Sequence, residues 1–344
     1  MTPPVVVVTG VSRYIAAHVA ARLAADPAVG RVVGMDGADP LAELAPLLEE
    51  VELISVDLRA AGPAIADLGA EMVAHLAVVT APDGKSGGRP AMKEQNVIGT
   101  MQLLAACQQA PRLRKLVIRS STAAYGASFR DPAVFTEDTE PREVPRGGFA
   151  RDVLDIEGYV RGFRRRRPDV CATILRFAPF IGRLANTSLT RYFAQPVVPT
   201  VLGRDPRLQF VHVDDVLEVL HRAVVEDHPG TFNVAGPGVL TLSQAVRRAG
   251  RIPMPIAEQG LSVSASLART VSLDQLDLFV HGRVVDITRL VREFGYQPRS
   301  TADAFDDFVR GHGEVLPRDA VHAAEQVILA QIRAVRRRMS GVRA

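Results

Sequence analysis

Only two cysteines, Cys107 and Cys171, occur among the 344 residues. Two thiols cannot build a disulfide framework, and no Cys/His cluster has metal-ligand spacing, so no metal site is expected. They read as buried, reduced thiols, which makes the cytoplasm the expected compartment. Charge of one sign is scarce too: 41 Lys and Arg against 38 Asp and Glu leave a net charge of +3. So small an excess does not point to nucleic acid as a partner. No apolar run reaches the roughly 18 residues that a membrane span needs. Val5 to Val8 is too short for the apolar core of a signal sequence. Internal repeats and low-complexity tracts are missing as well.

What is present is an alternation. Short β-branched runs at 5–10, 31–36, 51–57, 71–77, 115–121 and 171–177 read as strands. Helix-period segments at 15–25, 41–49, 96–109 and 149–166 lie between them. Continuous apolar strands separated by helices imply a parallel sheet covered on both faces. After Pro179 the pattern loosens, then gives strand into helix over 208–224 and another strand over 230–236. The chain therefore reads as an α/β protein with a doubly wound Rossmann-type parallel sheet and a smaller C-terminal substrate lobe. The sheet domain is expected over 4–182 plus 208–236, and the lobe over 183–207 plus 237–318. A basic helical tail, 319–344, ends in Arg336, Arg337 and Arg338, where cations favour the helix dipole.

Several short motifs then fall in one order. Thr9-Gly10 follows the first strand, Asp36 ends the second, Asp57-Leu58 the third, and His75-Leu76-Ala77 the fourth. "NVIGTMQLLAAC" opens a helix at Asn96, "SSTAAYG" ends the fifth strand, and "LRFAPFIG", "FVHVDDV", "FNVAG" and "DITRLVREFGYQP" follow. With this series the sequence resembles the extended short-chain dehydrogenases/reductases, the NAD-dependent epimerase/dehydratase family, over roughly residues 4 to 310.

The resemblance implies a dinucleotide across the carboxyl ends of the strands, its pyrophosphate at the first helix. Gly10, Arg13, Tyr14 and Ile15 would meet it there. Asp36 would accept from the adenosine ribose hydroxyls, Asp57 and Leu58 would take the adenine, and Leu76, Ala77, Val79 and Asn96 would line its middle. A carboxylate at Asp36 repels a 2′-phosphate and favours NAD, while Arg13 offers a route to NADP. The glycine loop breaks the family pattern: Arg13 or Tyr14 stands where a bare backbone approaches the pyrophosphate, and Ala16 replaces the last glycine. Arginine can pair with that phosphate or fill its place.

The family's Tyr-x-x-x-Lys couple is missing too. With Glu157 fixing the register, Phe149 takes the tyrosine position and Val153 the lysine position. Ser121 matches the active-site serine, Thr122 is a second hydroxyl beside it, and Tyr125 is the nearest tyrosine. These are the candidate catalytic residues. Pro179 replaces the asparagine that reaches substrate in relatives. Three readings stay open: a member without standard hydride transfer that keeps a ligand or dinucleotide cleft, an active NAD(P)-dependent oxidoreductase or epimerase on a sugar nucleotide or similar hydroxylated substrate, and a cofactor-independent lyase or cyclase. The resemblance also implies a small-molecule ligand and a homodimer formed through the 96–109 and 149–166 helices.

Overall fold

The computed structural model describes residues 4–81, 87–145, 148–257 and 273–313, with single positions at 323, 326, 327 and 330. The basic tail expected at 319–344 lies outside the described residues apart from those four.

The alternating runs become β1 (Val5–Thr9), β2 (Arg31–Asp36), β3 (Glu52–Ser55), β4 (Met72–His75), β5 (Lys115–Ser121) and β6 (Cys171–Phe177). Between them lie α1 (Tyr14–Ala24), α2 (Gly62–Asp67), α3 (Gly88–Lys93), α4 (Thr100–Gln109) and α5 (Gly148–Arg166). There follow β7 (Phe180–Ile181), α6 (Ser188–Ala194), β8 (Val197–Val201), β9 (Arg207–Leu208), β10 (Val211–His212), α7 (Val213–Val225) and β11 (Gly230–Val234). The last described elements are β12 (Leu240–Thr241), α8 (Leu242–Arg248), β13 (Ile252–Ile256), α9 (Leu273–His281), α10 (Thr288–Phe294) and α11 (Thr301–His312).

Seven strands form one parallel sheet in the order β11-β6-β5-β4-β1-β2-β3. The chain winds outward from β1 through β2 and β3, then outward the other way from β4. The order reverses between β1 and β4, and in such sheets the crevice for a ligand opens there. Thr9 of β1 is level with His75 of β4, and His75 with Ile118 of β5. Arg119, Ser120 and Ser121 therefore extend past the end of β4, paired only with β6.

Two compact units share the chain. The first holds the residues up to Pro179, Asp214–Ala235 and Val285–Pro298, and the second holds Phe180–Val213, Gly236–Val284 and the chain from Arg299. In the first unit, Val7, Val73, Leu116 and Ile118 pack with Leu103, Cys107, Ile156, Val160 and Phe163 from α4 and α5. On α5 the buried residues recur at helical spacing: Ala150, Val153, Ile156, Val160 and Phe163. The second unit has its own core of Tyr192, Phe193, Phe210, Phe279, Phe305 and Phe308.

Three local differences from the sequence reading have physical causes. Only a 3₁₀ turn, Ala45–Leu48, forms within 41–49, since Pro46 supplies no amide for a longer helix. The helix read from Asn96 begins earlier: α3 runs into a π-helical turn, Glu94–Gly99, before α4. Asn96 is no cap, because its amide is turned to the Val79 backbone. Residues 285–298 belong with the sheet and not with the lobe, where Phe294 stacks on His228 at 3.8 Å and packs edge-on to Phe232.

Candidate functional site

The crevice begins at Gly10, which turns the chain out of β1 with φ +88°. A Cβ there would stand 2.8 Å from Ala77 Cα, a backbone atom that cannot yield, so only glycine fits. Thr9 fastens the same corner: its hydroxyl oxygen accepts from the Leu76 and Ala77 amides at 3.2 and 3.3 Å. It pairs with His75 Nδ1 at 2.8 Å, and His75 Nε2 pairs with Thr100 Oγ1 at 2.8 Å. Thr100 donates its own proton to Asn96 O. His75 Nε2 is therefore the donor and Nδ1 the acceptor, which makes the ring neutral. Burial, with a smaller contribution from the Arg119 guanidinium, brings its pKa down to about 4. Leu76 and Ala77 are buried against this corner.

Arg13 is the residue before α1, extended at φ −116° and ψ 153°, with no side-chain cap. Its guanidinium is half-buried; burial lowers its pKa and Asp36 raises it. Tyr14 stacks on His18 at 3.9 Å, and burial, then Asp214, pushes its phenol up. Ile15 is half-buried, and Ala16 is buried. Asp36 ends β2 with Oδ2 accepting from the Ser12 amide at 3.0 Å and Oδ1 from Ala38 at 3.3 Å. A carboxylate has about four acceptor positions, so two remain for ribose hydroxyls. Asp57 accepts from the Arg59 amide and side chain, and those bonds hold its carboxyl below the usual range. Leu58 faces inward, beneath Gly99.

On the other side, Val79 exchanges two hydrogen bonds with the fully buried Asn96, at 2.8 and 2.9 Å. Asn96 also donates to Asp152 Oδ2 at 3.1 Å, and Arg89 grips both oxygens of that carboxylate at 2.6 and 2.5 Å. Asp152 is fully buried and immediately precedes Val153 on α5. Val153 is itself buried, and Phe149 packs against the apolar core. The π-helical turn is what brings Asn96 to both Val79 and Asp152, a local device often found at functional sites.

Ser121 ends β5, its oxygen accepting from the Ala123 amide at 3.1 Å, and Thr122 beside it is buried. Tyr125 is bonded to other partners. Its hydroxyl donates to Asn233 Oδ1 at 2.7 Å, lies 3.0 Å from Thr136 O and accepts from Arg176 at 3.0 Å. Burial raises its pKa against the pull of Arg176. Arg176 in turn makes a two-pronged ion pair with Glu157, at 2.9 and 2.7 Å, and Ser120 donates to the same carboxylate at 2.6 Å.

Sequence reasoning passed over Arg89, Arg119 and Arg176. The signal for Arg119 was a cation directly after the apolar run Leu116–Ile118. Arg176 and Glu157 carry no spacing signal, since one is on β6 and the other on α5. Among the described residues no group of His, Cys, Asp and Glu is arranged to hold a metal ion, and no helix is long and apolar enough to cross a membrane.

A seven-stranded parallel sheet with a Gly turn at its switch point and a carboxylate ending the second strand defines a Rossmann-type fold. Residues 6–235 match the model of the NAD dependent epimerase/dehydratase family, and the chain belongs to that family. It is 45% identical over 322 residues to an uncharacterized protein of Mycobacterium tuberculosis, covering 90% of this chain and 85% of that one. Among solved structures it is similar to UDP-glucose 4-epimerase of Thermotoga maritima, in a structure with UDP-glucose: TM-score 0.69, 18% identity, 89% and 98% of the two chains. It is also similar to UDP-glucuronic acid 4-epimerase of Bacillus cereus in complex with NAD, with TM-score 0.65, 17% identity and coverage of 90% and 98%. A tyrosine-to-phenylalanine mutant of that epimerase, in complex with UDP-4-deoxy-4-fluoro-glucuronic acid and NAD, matches with TM-score 0.67, 17% identity and the same coverage.

Proposed function

We propose that this protein binds a dinucleotide, NAD in preference to NADP, together with a small hydroxylated ligand of the sugar-nucleotide kind, without the family's usual hydride chemistry. The observation that carries this is α5, where Phe149 and Val153 take the places of tyrosine and lysine in the register set by Glu157. Phenyl and isopropyl groups neither move a proton nor hold a ribose. Asp36 fits the adenosine half of a dinucleotide, since two backbone amides use only part of its acceptor capacity. NAD would supply a hydride acceptor. Ser121 would hold a substrate oxygen, and Asn96 and Val79 would line the ligand's path. The Bacillus cereus mutant supports the reading, since that fold holds NAD and a sugar nucleotide with a phenylalanine in place of one tyrosine. On the same reading the protein is a cytoplasmic homodimer through α4 and α5, and light scattering should give twice the monomer mass of 37.1 kDa. A monomeric mass would remove that part.

Thermal-shift titration with NAD, NADH, NADP and NADPH tests the binding claim. NAD at 100 times its Kd should add about 2.7 kcal/mol of stability, and NADP should add less because Asp36 repels its 2′-phosphate. Turnover of UDP-glucose should fall well below the ~1–10³ s⁻¹ of ordinary enzymes, since positioned acid–base groups contribute roughly 10²–10⁴-fold. Turnover in the ordinary range would overturn the loss of catalysis. A flat titration with all four dinucleotides would overturn the binding claim.

A further inference from the structure

Beyond the end of β4, strand β5 carries a cation into the crevice. Arg119 follows Ile118, the last residue paired with β4, and by strand alternation it shares a face with Ser121, two residues on. Its Nη1 donates to Val78 O at 3.1 Å and lies 3.5 Å from Leu76 O. Those carbonyls belong to the stretch that packs on Gly10, where Ala77 Cα closes against the turn. The Arg119 head is thereby placed near the β1–α1 corner, where the Arg13 amide donates to Gly10 O at 3.1 Å.

We propose that Arg13 and Arg119 form a two-guanidinium site for a diphosphate, replacing the bare glycine backbone that the loop no longer offers. This rests on the reading of the crevice as a dinucleotide site and names the groups that would hold the ligand's anionic centre. The physical case is one of like charges. Burial, and then the Arg13 charge, brings the Arg119 pKa down to about 10. Two cations held close in a partly desolvated corner destabilise each other, and a dianionic ligand between them reverses that. Guanidinium forks also suit phosphate oxygens better than any other side chain. Asp36, whose oxygens accept from the Ser12 and Ala38 amides, also raises the Arg13 pKa, and one carboxylate offsets only one of the two guanidinium charges.

Calorimetric titration of the full chain with sodium pyrophosphate, and separately with NAD, is the test. Pyrophosphate should bind the wild type, and Arg13→Gly and Arg119→Met should each weaken it at least tenfold. Arg119→Lys, which keeps the charge, should recover part of that loss, and it decides the matter if Arg119→Met does not fold. Tighter pyrophosphate binding by Arg13→Gly would overturn the proposal, because Arg13 would then be filling the site. Unchanged binding of both ligands by Arg13→Gly and Arg119→Lys, with NAD still bound, would also overturn it and leave the dinucleotide reading intact. Pyrophosphate binding with the expected losses but no NAD binding would support the arginine pair and remove the dinucleotide reading.

Discussion

Replacing Glu157 by alanine should cost about 3–5 kcal/mol of folding stability, because it leaves a buried guanidinium without its counter-ion. Arg176 is 9% exposed and Glu157 1% exposed, and they share two hydrogen bonds. Without the carboxylate, Arg176 keeps the Tyr125 hydroxyl and Glu137 O, both neutral dipoles that cannot balance its charge. Ser120 would lose its acceptor as well. The reverse change, Arg176→Met, strands the Glu157 carboxylate and should cost a similar amount. Joining Arg176→Met to Glu157→Ala should cost clearly less than the sum of the two single changes, since neither charge is then left without its partner. Urea unfolding of the three variants and the wild type gives the coupling. Additive losses would show that the two side chains do not stabilise each other.

The same pair illustrates what could be read before the fold was known. Strand ends were legible: the alternation of apolar runs with helix-period segments places Gly10, Asp36 and Ser121 at the carboxyl ends of three strands. Position along a strand needs only period and punctuation. The α5 register was legible because the buried stripe of Ala150, Val153, Ile156 and Val160 follows helical spacing. Glu157 and Arg176 were not legible as partners, since one is on a helix and the other on a strand, joined only by the packing of helix on sheet. Asp152 was open to any role until Arg89 and Asn96 were seen gripping it. Arg89 sits on α3, which the sequence did not mark as a helix, and Asn96 was read only as opening a helix and lining a dinucleotide. Arg119 was hidden differently: an alternating strand says which face a side chain takes, but not that β4 stops one residue short of it. The strand ends could thus be read from sequence, whereas the contacts of Arg89, Arg119 and Arg176 could not.

His75 connects that crevice to pH. Its ring is fully buried between Thr9 and Thr100 with the proton on Nε2, and both nitrogens are used in the neutral form. A second proton would go to Nδ1, which already accepts from Thr9, in a site that also feels the Arg119 charge. The folded-state pKa is about 4 against an ordinary value of 6.5. Above pH 6.5 both folded and unfolded chains carry a neutral ring, so the full stability is present. As the pH falls below 6.5 the unfolded chain takes up a proton that the folded one refuses. Stability is then lost down to about pH 4, amounting to about 3 kcal/mol from this one residue. Asp307 belongs to a lower window, because its carboxyl, held near 2, titrates below an ordinary value of 3.8. His75→Gln keeps a donor to Thr100 and an acceptor for Thr9 but cannot protonate. Its stability at pH 7 should be somewhat lower than that of the wild type, with a shallower loss between pH 6.5 and 4. Chemical unfolding of both proteins at closely spaced pH values separates the slopes. Parallel curves across that window would show that His75 protonates in the fold as readily as in the unfolded chain, and that the Thr9–His75–Thr100 relay does not hold it neutral.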